Sequence, residues 1–271
     1  MYPTGDDIMS EIFELWENGT TMTYYAPEKK TSTGCVVIFP GGGYWGRAEH
    51  EGKSYAEFLN KNGITAFVVD YRVHPNRFPL PLLDARRAVR YVRYYGERFG
   101  IDKDKIAVMG SSAGGHLASM LCTYREEVEG EGVDEIDKES FLPDKQILCY
   151  PVINLYEEGI THIGSGDALI GDSLKDGGNV EMRKMLSANL IADEKTPEAF
   201  MWHTLSDELV DVRNTLQYAT RLRQVGVKAE VHIYPDGWHG LGLANEGKKN
   251  LPHVAQWGES MIRWIKDYLG W

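Results

Sequence analysis

Gly110-Ser111-Ser112-Ala113-Gly114 sets a serine at the centre of a G-x-S-x-G pentapeptide. It follows the apolar run Ile106-Ala107-Val108-Met109 and opens an apolar stretch, so it reads as a sharp strand-to-helix turn. Such a turn holds its central residue in strained dihedrals, and flanking Gly and Ala avoid clashes with neighbouring backbone. It lifts the Ser112 hydroxyl above the sheet and leaves the Ala113 amide free at a helix N-terminus, where the partial positive charge favours an anion. That is the geometry of a serine nucleophile. The other reading is a glycine-rich turn with an N-capping serine. Ser111 occupies the second position of the motif and is the neighbour.

A second glycine cluster, Pro40-Gly41-Gly42-Gly43-Tyr44-Trp45-Gly46, follows the run Cys35–Phe39. One reading is a loop of the HGGG type, with proline at the usual histidine position, whose Gly42 and Gly43 amides point at a carbonyl oxygen. The rival notes that Gly41, Gly43 and Gly46 match G-x-G-x-x-G and that Asp70 ends the next strand as a ribose-binding acid would. That version needs a helix starting tight within the glycines. Bulky Tyr44 and Trp45 fit it poorly, and it leaves the serine turn unexplained.

A serine nucleophile needs a histidine to take its proton and a carboxylate to orient that histidine. Of eight histidines, His50 and His74 precede the serine. His116 is fixed one turn along its helix and reads as a packing or hydrogen-bonding residue. His203 and His232 lie within apparent strands, and His253 opens the last helix. His239 stands directly after a strand in Pro235-Asp236-Gly237-Trp238-His239-Gly240, where glycines let the ring reach across. For the acid, Asp207 follows the strand Phe200–His203, with Glu208 and Asp211 as alternatives. Asp236 is too close in sequence to His239 to orient it easily.

These loops must be positioned by the elements between them. Apolar runs at 35–39, 64–69, 105–109, 146–150, 200–203 and 228–234 predict buried strands. Residues 81–99 place Ala85, Val89, Val92, Tyr95 and Phe99 on one helical stripe, with Arg86, Arg87, Arg90 and Arg93 facing away. Residues 252–269 repeat the pattern. Strands alternating with helices predict a mostly parallel sheet covered on both faces, with ligands beyond the carboxyl ends of its strands. Residues 153–195 break the rhythm, with Gly, Ser and Asp throughout. They read either as a partial cap inserted over that edge or as a solvated excursion. The whole chain, 1–271, reads as one domain.

Composition excludes some partners. The net charge of −11 argues against nucleic acid and against anionic lipid. No apolar run approaches a membrane span, and the N-terminus lacks a basic segment followed by an apolar one. With Cys35, Cys122 and Cys149 each inside an apolar run, the expectation is a cytoplasmic protein with reduced thiols. The Asn18-Gly19-Thr20 sequon matters only in a secreted chain. Residues 126–139 hold eight acids and one lysine, a net −7, and read as a solvated surface loop. No His/Cys/Asp cluster has ligand spacing, so no metal or cofactor is expected. A homo-oligomer is left open.

Taken together the chain resembles the α/β-hydrolase fold over nearly its whole length. It is most similar to small esterases of the acetyl-xylan and feruloyl type, related to the hormone-sensitive-lipase group. The segments that carry this are FPGGGY at 39–44, VVDYRV at 68–73, GIDKDKIAVMGSSAGGHLA at 100–118, LCYPVI at 148–153, THIGS at 161–165, WHTLSDELVDV at 202–212 and PDGWHGLGLA at 235–244. Asp207 and Val210 match the family's D-x-x-V; where a proline commonly follows, this chain has Asp211. The resemblance implies a Ser112–Asp207–His239 triad with Gly42, Gly43 and Ala113 as oxyanion donors. It implies a serine carboxylic-ester hydrolase that takes a small acyl group, acetyl, from a carbohydrate such as an acetylated xylo-oligosaccharide. Tyr44, Trp45 and Trp238 are placed at the mouth, where aromatic faces suit sugar rings; the other reading is core packing behind the site. Kynurenine formamidases also carry a G-G-x-W loop, which Gly42-Gly43-Tyr44-Trp45 resembles, so an arylformamidase acting on N-formylkynurenine is an alternative. A non-catalytic binding protein on the same fold normally loses the histidine, and here His239 stands.

Overall fold

The computed structural model describes residues 10–17 and 19–271. The N-terminal segment 1–9 and the sequon asparagine at 18 lie outside the described residues. Eight strands form one sheet: β1 (Ser10–Glu14), β2 (Thr21–Tyr25), β3 (Cys35–Phe39), β4 (Thr65–Val69), β5 (Ile106–Ser111), β6 (Lys145–Cys149), β7 (Glu198–Thr204) and β8 (Ala229–Tyr234). Their spatial order is β1-β2-β4-β3-β5-β6-β7-β8. The six strands from β4 to β8 are parallel, and the β1–β2 hairpin adds to β4 antiparallel. The six parallel strands coincide with the six apolar runs read from the sequence. SEIFE and TMTYY contain no such run, and the hairpin they form escapes that test.

The pleat explains why those runs are apolar throughout: successive residues serve opposite cores. Val37, Phe67, Val108, Leu148 and Met201 face one core, with α2 (Leu80–Tyr94), α4 (Ser112–Thr123) and α8 (Arg213–Gln224) contributing Val89, Leu117 and Tyr218. Val36, Ala66, Ala107, Ile147 and Phe200 face the other, with α1 (Lys53–Lys61) and α9 (Pro252–Arg263) contributing Leu59 and Trp257. The predicted 81–99 helix divides into α2 and a short α3 (Gly96–Phe99), closed by Gly100 at φ 61°. The last helix runs on past Arg263 as a π turn, Trp264–Tyr268.

The arginines of α2 do not face solvent, although the acidic run beside them is the exposed surface loop its composition suggests. Arg86, Arg87, Arg90 and Arg93 are all buried, because the acidic run folds down over them. Arg87 donates to Asp134 at 2.6 Å and to Asp137 at 3.0 Å. Arg86 pairs with Glu131 and lies over the Phe141 ring at 4.1 Å. Arg90 and Arg93 donate to the carbonyls of Glu139 and Leu142. A guanidinium fork satisfies carboxylates and carbonyls together, and its stem covers apolar surface. The run is therefore a cover for α2: Glu131, Asp134 and Asp137 pair with the buried arginines while most of its other residues stay exposed.

Between β6 and β7 the chain carries α5 (Ile163–Ile170), α6 (Val180–Met185) and α7 (Ala188–Ile191). Leu155, Ala168, Leu169, Leu186 and Ala188 join the first core. Arg183 is fully buried and ties these elements together through Asp167, Asp172 and the Leu155 carbonyl. Ser165 comes within reach of Gly43: a Cβ built on that glycine would stand 3.9 Å from its Oγ.

Candidate active site

The sheet reverses its winding direction between β3 and β5. The chain leaves β3 for β4 on one side, then crosses back to β5 on the other. In sheets of this kind the crevice at such a reversal is where ligands sit. Phe39 pairs with Gly110 there, so the loops that follow both strands rise side by side.

Ser112 begins α4 with φ 52°, a left-handed conformation that costs a side-chain-bearing residue on the order of 1–3 kcal/mol. The glycines of its motif are required by close approach. A Cβ on Gly110 would lie 2.1 Å from the Gly114 carbonyl oxygen, and one on Gly114 would lie 2.0 Å from that of Phe39. The turn can form only with both positions bare.

His239 reaches across from the loop after β8, and its Nε2 lies 2.8 Å from Ser112 Oγ. Its Nδ1 lies 2.7 Å from Asp207 Oδ2. The other carboxylate oxygen, Oδ1, accepts from the Leu209 amide at 3.0 Å and the Val210 amide at 2.9 Å. Burial pushes the Asp207 carboxyl upward, but hydrogen bonds from His203 and His239 and the positive charge of His239 more than offset it and hold it well below the usual carboxylate range. An ionised carboxylate only accepts, so His239 carries its proton on Nδ1 and presents Nε2 as acceptor to the Ser112 hydroxyl. Of the three acids in that loop, Asp207 is the one brought to the histidine. Asp211 is engaged instead by Arg213 at 2.8 Å, and Glu208 lines the groove beyond.

Gly42 (φ 136°) and Gly43 (φ 65°) turn the first loop back on itself, with Trp45 and Gly46 donating to the Gly42 carbonyl. Among the described residues, no acceptor takes the Gly42 or Gly43 amide. Ala113 lies in the opening turn of α4, where amides have no intrahelical acceptor. Gly42 and Gly43 lie in the loop after β3, and Ala113 directly follows Ser112.

A buried network sets the loops against one another, and two of its members, Glu51 and Tyr55, lie in none of the motifs read from the sequence. Glu51, 2% exposed, accepts from the Gly41 amide at 2.8 Å and from the Tyr150 hydroxyl at 2.7 Å. The Tyr150 hydroxyl in turn accepts from the Gly242 amide, just beyond His239, and Tyr55 bonds Ser111 at 2.9 Å. Loop 40–46, the serine turn and the histidine loop therefore share one set of partners. The Tyr150 ring meets the His239 ring edge-on at 5.1 Å.

The three aromatics placed at the mouth divide. Tyr44 is a correction: it is 1% exposed and its hydroxyl bonds His116 Nδ1 at 2.8 Å. The left-handed backbone at Gly43 and Tyr44 turns that side chain inward. His116 Nε2 lies 2.7 Å from the Leu186 carbonyl, so loop, α4 and insertion are joined through one ring. Burial holds that ring neutral, with its pKa down at about 4. Trp45 is 58% exposed and packs on His74, while Trp238 is 48% exposed beside His239. Trp238, Leu209, Glu208, Asp236 and Leu251 line a 640 Å³ groove that opens next to His239. A larger cavity of 960 Å³ lies far from this chemistry, between the β1–β2 hairpin, the start of α2 and Gly130–Asp134; size alone does not mark the site. His162, at the start of α5, also faces the catalytic loops: burial and the His239 charge lower its pKa, and it bonds Ser165 at 2.8 Å.

Comparison with known proteins gives the chain a family and a fold. The BD-FAE family model matches residues 22–222. An acetylxylan esterase from Xylanibacter ruminicola is 32% identical over 247 residues, covering 89% of this chain and 48% of that protein. An endo-1,4-β-xylanase B from Butyrivibrio fibrisolvens is 35% identical over 217 residues, covering 78% of this chain and 33% of that protein. The chain thus spans between a third and a half of the length of these relatives. The crystal structure of an acetyl ester-xyloside bifunctional hydrolase from Caldicellulosiruptor lactoaceticus superposes with a TM-score of 0.86 at 38% identity, covering 96% of each chain.

Proposed function

The chain belongs to the BD-FAE family, on the α/β-hydrolase fold, and from that premise we propose that it is a serine esterase removing small acyl groups, acetyl first, from a carbohydrate. The observation that carries the reading is the unbroken line of hydrogen bonds from Ser112 through His239 to Asp207 at the sheet's reversal point. In the reaction Ser112 Oγ attacks the ester carbonyl while His239 Nε2 takes its proton. Asp207 holds the Nδ1–H tautomer and stabilises the imidazolium that forms. The oxyanion develops against the amides of Gly42 or Gly43 and Ala113, donors that would stabilise its charge. His239 then gives its proton to the leaving alcohol, and water repeats the sequence on the acyl-enzyme.

The side of the leaving alcohol is the open one. The 640 Å³ groove adjoins His239 where that alcohol is protonated, and Trp238 offers it an exposed ring face. A bulky alcohol with flat C–H faces, such as a pyranose, suits that groove. The names of the relatives support a xylan-derived sugar. No helix among the described residues is long and apolar enough to cross a membrane. The test is a panel of 4-nitrophenyl esters from acetate to long chains, a feruloyl ester, acetylated xylo-oligosaccharide and N-formylkynurenine. Fastest kcat/KM on acetate, with release of acetate from the oligosaccharide, is expected. A preference for long chains, or for N-formylkynurenine, overturns it.

A further inference from the structure

The acid of this site has a second histidine on it. His203 is the next-to-last residue of β7, four residues before Asp207, and both side chains are almost fully buried. Its Nε2 lies 3.2 Å from Asp207 Oδ2, the same oxygen that receives His239 Nδ1. It also lies 3.0 Å from the Val210 carbonyl. A carbonyl can only accept, so His203 Nε2 carries a proton and donates it, shared between Val210 O and Asp207 Oδ2. On the far side of the ring, Nδ1 meets the Thr215 hydroxyl of α8 at 2.8 Å. The ring is held at both ends and cannot turn without losing a partner.

We propose that His203 is a positioning residue that sets how much of the Asp207 charge reaches His239. The proposal rests on the triad reading above. One carboxylate oxygen serves two imidazoles, and each N–H it accepts draws on the same lone pairs. With His203 in place, part of that charge is spent on the fixed ring, and His239 stays a weaker base than a sole partner would be. The donor also pins Val210, whose amide closes the turn on Asp207 Oδ1, so carboxylate plane and loop are fixed together.

The charged neighbours on every side are few. Asp207 is faced by His239 from the loop after β8, by His203 from β7 and by His162 from α5. His203 is faced by Asp207 and, from the start of α8, by Asp211. His162 and Asp211 are unchanged in the variants below, so a shift in pH dependence reports on His203.

Removing the donor concentrates charge on the His239 bond and favours the protonated ring. The general base must be neutral, so the acid limb of kcat/KM moves to higher pH. In His203→Leu that limb is expected to rise by roughly half to one pH unit. His203→Gln, whose amide N–H reaches the same distance, is expected to leave it near its wild-type position. Thr215→Val keeps the ring but frees its far end, and carries the same test with a smaller upward shift if the leucine variant does not fold. Profiles are read with 4-nitrophenyl acetate. An acid limb that is unmoved or lowered in His203→Leu and Thr215→Val overturns the proposal, because a ring that only packs costs activity without moving it. Ser112→Ala run alongside separates the two ideas. If that variant keeps turnover, the triad reading itself fails; if it is dead and the limbs coincide, only the role of His203 fails.

Discussion

At the scale of single residues, the site depends on groups whose protonation is fixed by one-way partners. Asp207 can only accept, so His239 has one available tautomer; the Leu186 carbonyl does the same for His116. The second case has a measurable consequence for stability. His116 is fully buried and its pKa in the folded protein is about 4, against an ordinary value of about 6.5. The unfolded chain binds this proton more readily than the folded one. Stability from this group is complete above pH 6.5 and is lost as pH falls toward 4, for a total of about 3 kcal/mol. We expect urea midpoints to fall across that window and His116→Gln to flatten the fall; a variant that retains the full slope shows that His116 is not its source. The residues proposed to do chemistry are legible in sequence because each carries its own signal. Ser112 sits among glycines that sterics require, and His239 stands just past a strand. His203 is not, since a histidine inside a strand looks like any buried side chain. Glu51 is not, because its partners come from loops that are distant in sequence.

At the scale of elements, the parallel strands could be read directly, being buried on both faces and apolar at every position. The β1–β2 hairpin could not, since SEIFE and TMTYY mix polar and apolar residues at a half-exposed edge. The arginines of α2 read as a solvated face for a specific reason. Four arginines opposite an apolar stripe suggest a solvated face until their counter-charges are known to come from a segment some forty residues on. That segment is an electrostatic cover, and its anchor is testable. Arg87→Met leaves Asp137, whose side chain is 1% exposed, without its closest cation. Breaking a buried pair from one side costs about 3–5 kcal/mol. The expected result is a loss near the lower figure in urea unfolding, since Arg90 stands 3.8 Å away as a weaker substitute, together with new protease cleavage between 126 and 139. Unchanged stability and no cleavage show that the run is held by its backbone bonds alone.

At the scale of the whole molecule, the net charge of −11 already counts the arginines of α2, so pairing them with Glu131, Asp134 and Asp137 leaves the rest of the molecule acidic. The architecture converges on one place. The winding reversal opens a crevice between β3 and β5, loop 40–46 rises on one side, the serine turn on the other, and the histidine loop closes from β8. The insertion between β6 and β7 packs against the same loop through Ser165 and His116. The central claim is that Ser112 is the nucleophile of that crevice, and the most direct test is turnover of 4-nitrophenyl acetate by purified, folded Ser112→Ala. The account predicts a fall in kcat of roughly 10⁴ to 10⁶ with circular dichroism unchanged; turnover at the wild-type rate would contradict it.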